Sequence, residues 1–198
     1  MSNFDKNLDK NLSNFIPLSP ITFLERVKDI YPDKEALIYG SRKYTWNQIY
    51  ERCIRFASAL ENQGIGPGDT VSILAANTPE LFEAHYSIPM TGAVINTINI
   101  RLDSQTIAYI IEHSDAKLFI VDTQFSLVIK KSLELINKKI PIIDIIDSQA
   151  QLKDGEGERL GQWTYEDFLA SGDNKYIWKR PTDEWQAISL NYSSGTTG

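Results

Sequence analysis

Short apolar runs alternate with longer amphipathic segments along the chain from residue 70 onward. Ile- and Val-rich runs bounded by turn residues indicate buried strands, whereas apolar residues spaced three and four apart indicate helices. The pattern predicts strands at 71–75, 93–98, 117–121, 140–146 and 186–192, and helices at 78–90, 104–112, 125–136 and 164–170. Strands that alternate with helices form right-handed βαβ units on a parallel sheet, so the predicted fold class is α/β with αβα layers.

The region before residue 70 predicts a helix, a hairpin and a second helix. Ser19 and Pro20 suit a helix start, and Phe23, Val27 and Ile30 are expected on one face of the helix. Residues 36–39 and 43–45 flank the turn at 40–41 and predict a short hairpin. Residues 45 and 48 have the Thr-x-x-Gln spacing of a capping box, and the helix that follows turns residue 53, a cysteine, toward a core.

Composition and charge narrow the class of protein. The chain has 198 residues, 42% hydrophobic and 23% charged, with a net charge of -6 and no cluster of cations, which argues against a nucleic-acid partner. Cys53 is the single cysteine, so no internal disulfide forms and a reducing, cytoplasmic location is expected. Residues 1–16 form a polar tail without the apolar core of a secretory signal, and no run approaches the ~18 apolar residues of a membrane span.

Several residues could be assigned a binding or catalytic role, but their sequence context argues against it. Gly64, Gly66 and Gly68 match part of a dinucleotide fingerprint, but they follow a predicted helix and open a strand, which is the reverse of the required order. His85 and His113 lie on separate helices without other ligands at metal-binding spacing, and packing is expected for His85. The remaining candidates are charged groups at strand ends, expected to face water or form surface salt bridges: Arg101, Asp144 and Asp147.

The C-terminal run 193–198 carries the most informative chemistry. Glycines allow successive backbone N–H groups to converge on an anion, and Ser and Thr hydroxyls add further donors, so the run after a strand suits phosphate binding. It is not a Walker loop, because the Gly-Lys-Ser/Thr ending is absent. Taken alone, these six residues favour a flexible Ser/Thr/Gly linker.

The longer segment 191–198, Asn-Tyr-Ser-Ser-Gly-Thr-Thr-Gly, resembles the phosphate-loop signature of the adenylate-forming (AMP-binding) superfamily. Further segments resemble the same superfamily: Tyr44-Thr45-Trp46 with Gln48-Ile49, 64–71, 76–80 and 89–96. Residues 96–103, Asn-Thr-Ile-Asn-Ile-Arg-Leu-Asp, are most similar to the fatty-acyl-CoA synthetase branch. The resemblance covers 17–198, which defines the N-terminal portion of an AMP-binding domain after the tail at 1–16.

This resemblance implies an ATP-dependent acyl-CoA synthetase, an acid–thiol ligase. The resemblance implies ATP and coenzyme A as co-substrates and Mg²⁺ as a cofactor. The implied substrate is a carboxylic acid, most simply a fatty acid. The residues implied to embrace the β- and γ-phosphates are Ser193, Ser194, Gly195, Thr196, Thr197 and Gly198.

The family pattern continues beyond Gly198, so the chain is expected to be an N-terminal fragment, inactive alone, whose partners are small molecules and the rest of its own chain. Catalytic residues and metal ligands are expected beyond it. Two alternatives stay open: a non-catalytic nucleotide-binding or interaction module with the same half-fold, and an adenylating ligase for a short thioether, aromatic or amino acid.

Overall fold

The computed structural model describes residues 6–11, 13–137 and 139–193. Helix α1, Pro20–Ile30, begins at Ser19, whose hydroxyl accepts a hydrogen bond from the Ile21 amide, as the sequence predicts. The buried residues of α1 are Ile21 and Leu24, while Phe23 and Ile30 are exposed. The buried stripe lies where α1 meets the next helix, which the spacing of apolar residues within α1 did not reveal.

The predicted hairpin and second helix are confirmed. Strands β1, Glu35–Tyr39, and β2, Arg42–Thr45, pair antiparallel across a turn in which Gly40 has a φ of +55°. Helix α2, Trp46–Asn62, starts with a complete capping box. The hydroxyl of the cap, Thr45, accepts from the backbone of Gln48, whose side chain accepts from the cap's own amide at 2.8 Å. Cys53 is fully buried, as expected.

The predicted alternation of strands and helices follows. The elements in chain order are β3 (Thr70–Leu74), α3 (Pro79–Met90), β4 (Val94–Thr97), α4 (Ser104–His113), β5 (Leu118–Asp122), α5 (Ser126–Leu135), β6 (Ile142–Ile145), β7 (Trp163–Thr164), α6 (Tyr165–Ala170) and β8 (Ser189–Leu190). A short 3₁₀ turn, Thr123–Phe125, joins β5 to α5. Residues 149–161 contain no helix or strand. Strand β8 is much shorter than the predicted 186–192.

In the described part of the chain, six strands form one sheet in the order β7-β6-β5-β3-β4-β8, and every neighbouring pair is parallel. Successive residues of β5 point to opposite faces: Leu118 and Ile120 enter one apolar cluster, and Phe119 and Val121 enter another. The first cluster packs under α2, α3 and α6, and the second under α4 and α5. Helices therefore cover both faces, and the α/β class with αβα layers is confirmed.

Candidate functional site

The carboxyl ends of the six strands lie along one edge of the sheet, because all neighbouring pairs are parallel. Open α/β sheets bind ligands in the crevice outside this edge. Ser193, the first residue implied to bind phosphate, follows β8 at this edge and is exposed. The other implied residues lie outside the described part of the chain: Ser194, Gly195, Thr196, Thr197 and Gly198. Their role in phosphate binding stays a prediction.

Strand β8 is held at the border of the sheet by β4 and by α4. The Ile95 amide donates to the Ile188 carbonyl at 3.1 Å, and the pairing continues through residues 96 and 190. Two residues beyond the strand, the Tyr192 hydroxyl lies 2.8 Å from Nδ1 of His113, the last residue of α4. The half-buried Tyr192 ring also packs against the apolar cluster under α4. The chain is therefore anchored on α4 at the point where the implied loop begins.

A partly buried ionic cluster joins the hairpin to the carboxyl edge. Nη1 of Arg42 donates to Glu80 at 2.6 Å, and Nη2 lies 3.9 Å from Asp147. The Tyr39 hydroxyl donates to Asp147 at 2.6 Å, and this hydrogen bond raises the pKa of Tyr39 to about 12. The expectation that Asp147 faces water is wrong, because the hairpin covers it. Arg42 supplies one positive charge against the two carboxylates, and these contacts tie the hairpin to α3 and to the end of β6.

Asp144 was also expected to face water, and this expectation is wrong as well. Its side chain is fully buried and accepts hydrogen bonds from the amides of Leu160 and Gly161 at 3.1 and 2.9 Å. Nε of Arg159 approaches it at 3.4 Å. The carboxylate therefore ties the end of the long 149–161 loop to β6. No local sequence pattern predicts this contact.

Asp122 closes the gap between β5 and β3 at the same edge. Its carboxylate accepts from the amide of Ala76 at 3.3 Å and from the backbone and side chain of Gln124 at 3.1 and 2.7 Å. Burial raises its pKa, although these donors act in the opposite direction. These hydrogen bonds tie residue 76, after β3, to the end of β5, so Asp122 shapes this edge.

A further buried carboxylate, Glu83, was not singled out from the sequence. It has no exposed surface and accepts from Nε of Arg52 at 2.6 Å and from the Tyr165 hydroxyl at 3.0 Å. Arg52 also binds Glu166 of α6 through two hydrogen bonds. Desolvation raises the pKa of Glu83 to about 7. The network links α2, α3 and α6 beneath the sheet, and the sequence signal for it, a Glu in an apolar helix face, was ambiguous.

Two shallow apolar cavities flank His85 on α3. One of about 320 Å³ lies against β1 and includes Leu37 and Asn77, and one of about 470 Å³ lies beside β8 and includes Ile188. His85 is exposed, and its Nδ1 donates to the Leu81 carbonyl at 2.8 Å. The expectation that it packs in a core is therefore wrong. Its hydrogen bond stays within α3, so no catalytic or binding role is assigned to His85.

The described residues contain neither a metal-binding cluster nor a membrane-spanning helix. No group of three or more His, Cys, Asp or Glu side chains in this part of the chain has an arrangement that fits a metal ion. Within residues 6–11, 13–137 and 139–193, every helix is too short or too polar to cross a lipid bilayer. Arg101 is exposed and forms no ion pair with another described residue, contrary to the expected surface salt bridge.

Comparison with known proteins gives a consistent result. The family model described as "AMP-binding enzyme" matches residues 24–198. The chain is 43% identical to a peroxisomal acetate/butyrate–CoA ligase of Arabidopsis thaliana and 44% identical to an acetate–CoA ligase of Humulus lupulus. Each match covers 96% of this chain but only 35% of the relative.

A solved structure agrees in fold. The crystal structure of an anthranilate CoA ligase in complex with anthranoyl-AMP superposes with a TM-score of 0.80 at 25% identity, covering 96% of this chain and 35% of that protein. The chain thus spans about a third of the length of the relatives it matches.

Proposed function

The chain belongs to the AMP-binding enzyme family, and from this premise we propose that the full-length protein is an ATP-dependent acyl-CoA synthetase. The observation that carries the proposal is the similarity of nearly the whole chain to two named CoA ligases. The position of Ser193 at the carboxyl edge of a parallel sheet supports it independently, because that edge is where such folds bind ligands.

The proposed reaction has two steps. A carboxylate oxygen of the acid attacks the α-phosphorus of ATP. The bond between the α-phosphorus and the oxygen that bridges it to the β-phosphate breaks, so pyrophosphate departs and an acyl-adenylate remains. The sulfur of coenzyme A then attacks the acyl carbon, its proton is lost, and AMP leaves. The protein must therefore hold a polyanion and stabilise the charge that develops on the departing pyrophosphate.

The loop after β8 is proposed to supply this stabilisation. Its hydroxyl donors are Ser193, Ser194, Thr196 and Thr197, and its amide donors are Gly195 and Gly198. Short polar side chains and glycines fit a triphosphate that must be approached closely by the backbone. Mg²⁺ would neutralise part of the phosphate charge. The described residues offer no carboxylate cluster for it, so the metal would be held by the triphosphate and by groups outside them.

The acid is proposed to be an aliphatic, fatty-acid-type carboxylate. Residues 96–103 support this choice through their similarity to fatty-acyl-CoA synthetases. Two relatives named for acetate or butyrate extend the candidates to short chains. An aromatic acid is the alternative, since the similar solved structure is named for anthranilate.

Domain limits and location complete the proposal. We place the start of the AMP-binding domain at residue 17, close to the start of the family match at residue 24, with 1–16 as a tail. The segment 1–198 alone is proposed to be inactive, because it supplies only part of the edge on which ATP binds. A cytoplasmic location is proposed from the single buried thiol of Cys53, and the peroxisome, named for the Arabidopsis relative, is the alternative that fluorescence microscopy would reveal.

The test measures pyrophosphate release by the full-length protein with ATP, Mg²⁺ and a panel of acids. The panel runs from acetate to palmitate and includes cinnamate, anthranilate and amino acids, each with and without coenzyme A. Release that requires an aliphatic acid, with acyl-CoA as product, supports the proposal. Release only with aromatic or amino acids would reassign the substrate, and binding of ATP without any acid-dependent release would indicate a non-catalytic module.

A further inference from the structure

Strand pairing within the sheet holds the chain only as far as the residues just before the implied phosphate loop. Strand β8 lies at the border of the sheet and is paired with β4 through two residue pairs, the last of which joins residues 96 and 190. Asn191 and Ser193, which follow, are exposed. The direction in which the chain leaves the sheet therefore depends on what holds Tyr192, the one half-buried residue between them.

Tyr192 is held at both ends of its side chain. Its ring packs against the apolar cluster under α4, and it meets the His113 ring edge-on, with centroids 5.7 Å apart at 78°. Its hydroxyl lies within hydrogen-bond distance, 2.8 Å, of His113 Nδ1. His113 is itself steadied by Tyr109, one turn earlier on α4, which stacks on it at 5.3 Å. Burial raises the pKa of Tyr192, so the phenol keeps its proton at neutral pH.

We propose that His113 is a positioning residue for ATP: by binding the Tyr192 hydroxyl it sets the direction in which Ser193 and the following loop leave the sheet. The inference rests on the proposed function. Ordering one residue costs about 1–2 kcal/mol, so a loop whose first turn is already oriented binds phosphates with less loss of entropy. Donors must also sit close to their working geometry, because misplacement of ~1 Å lowers rates strongly.

The simpler alternative is that Tyr192 is only an apolar anchor and that its hydroxyl is incidental. Tyr192→Phe separates the two, because it keeps the ring and removes the hydrogen bond. His113→Ala removes the partner, and His113→Asn restores an amide close to the position of Nδ1. The double variant Tyr192→Phe/His113→Ala completes a cycle that isolates the contact itself.

The experiment measures kcat/KM for ATP in the full-length protein at saturating acid and coenzyme A, together with KM for coenzyme A. Tyr192→Phe and His113→Ala are each expected to lower kcat/KM for ATP about 3–10-fold, the size expected for one hydrogen bond. The double variant should lose no more than the larger single effect, His113→Asn should recover part of it, and KM for coenzyme A should not change. His85→Ala is the matched control, an exposed histidine bonded only within α3, and it should stay within twofold of wild type.

The outcomes distinguish failure of the proposed function from failure of this inference alone. A wild-type protein without acid-dependent pyrophosphate release would remove the proposed function and this inference with it. An active wild type whose single variants keep their kcat/KM for ATP, or whose effects simply add in the double variant, would overturn the inference alone. If His113→Ala lowers the thermal midpoint enough to unfold the protein, Tyr192→Phe and His113→Asn decide the matter in its place.

Discussion

Nε of Arg52 donates to Oε1 of Glu83 at 2.6 Å, in a position where the Glu83 side chain has no contact with solvent. The same guanidinium binds Glu166 on the opposite side, so one cation joins three helices. A fully buried carboxylate without its cation is costly, because water no longer solvates it.

Arg52→Met is therefore expected to destabilise the protein by about 3–5 kcal/mol, the range for removal of one partner from a buried pair. The free energy of unfolding in urea measures it. The control is Lys43→Met, which breaks the exposed pair between Lys43 and Glu35 at 2.8 Å. That change should cost no more than about 1 kcal/mol. Equal losses of unfolding free energy in the two variants would contradict the larger contribution to stability that is expected of the buried pair.

Tyr39→Phe tests the cluster between the hairpin and the sheet through its pH dependence. At neutral pH the loss of the hydrogen bond to Asp147 is expected to cost about 1–2 kcal/mol. The pKa of Tyr39 is raised from 10.0 to about 12 in the folded protein, so the hydroxyl stabilises the fold fully below pH 10. That stabilisation declines as the pH rises and is lost above pH 12.

The measurement compares unfolding free energies of wild type and Tyr39→Phe between pH 8 and the alkaline limit of folding. Their difference should be constant at first and should shrink above pH ~10. Tyr31→Phe is the control, an exposed tyrosine whose hydroxyl has no hydrogen-bond partner among the described residues. A difference that grows with pH would contradict the assigned direction.

Gly172→Ala tests the close approach of the segment after α6 to α2. A Cβ at this position would lie 1.9 Å from the carbonyl oxygen of Arg55 and 3.1 Å from the amide of Ala59. Backbone atoms inside a helix cannot move aside easily, so about 3 kcal/mol of destabilisation is expected. Gly66→Ala is the matched control, because nothing lies within 4 Å of its Cβ position. It should change the unfolding free energy by less than about 0.5 kcal/mol.

Thr196→Val tests the proposed phosphate loop directly, since it keeps the volume of the side chain and removes its hydroxyl. If that hydroxyl stabilises charge on the leaving pyrophosphate, the rate of acid-dependent pyrophosphate release by the full-length protein should fall about 10²–10³-fold. Thr182→Val, an exposed threonine remote from the carboxyl edge, should leave the rate unchanged. Full activity of the Thr196 variant would remove this residue from the site.

Local signals predicted the fold well where the determinant is local. The caps at Ser19, Thr45 and Thr78 mark the starts of α1, α2 and α3, because a cap depends on residues only two or three positions away. The αβα class follows from the alternation of such elements. The length of β8 was overestimated because its extent depends on β4, a partner distant in the chain.

The same distinction explains the errors at the candidate site. Asp144 and Asp147 look like strand-end carboxylates, yet the amides of 160–161 and the hairpin residue Tyr39 enclose them. On α1, Phe23 is exposed and Leu24 is buried, because contact with α2 determines which stripe of the helix is covered. The loop after β8 was identified through family resemblance and not through geometry. Its residues beyond Ser193 lie outside the described part of the chain, so their contacts with phosphate are for the variants above to test.

The pairing of residue 95 with residue 189 has a consequence for how the protein acquires its site during synthesis. Strand β4 emerges from the ribosome long before β8, and the intervening α4, β5, α5, β6 and α6 can dock while β8 is still missing. Contacts between residues so far apart in the chain form slowly, because loop closure must precede them. The nascent chain therefore exposes the unpaired edge of β4 until β8 has been synthesised, and an unpaired strand edge can pair with other chains.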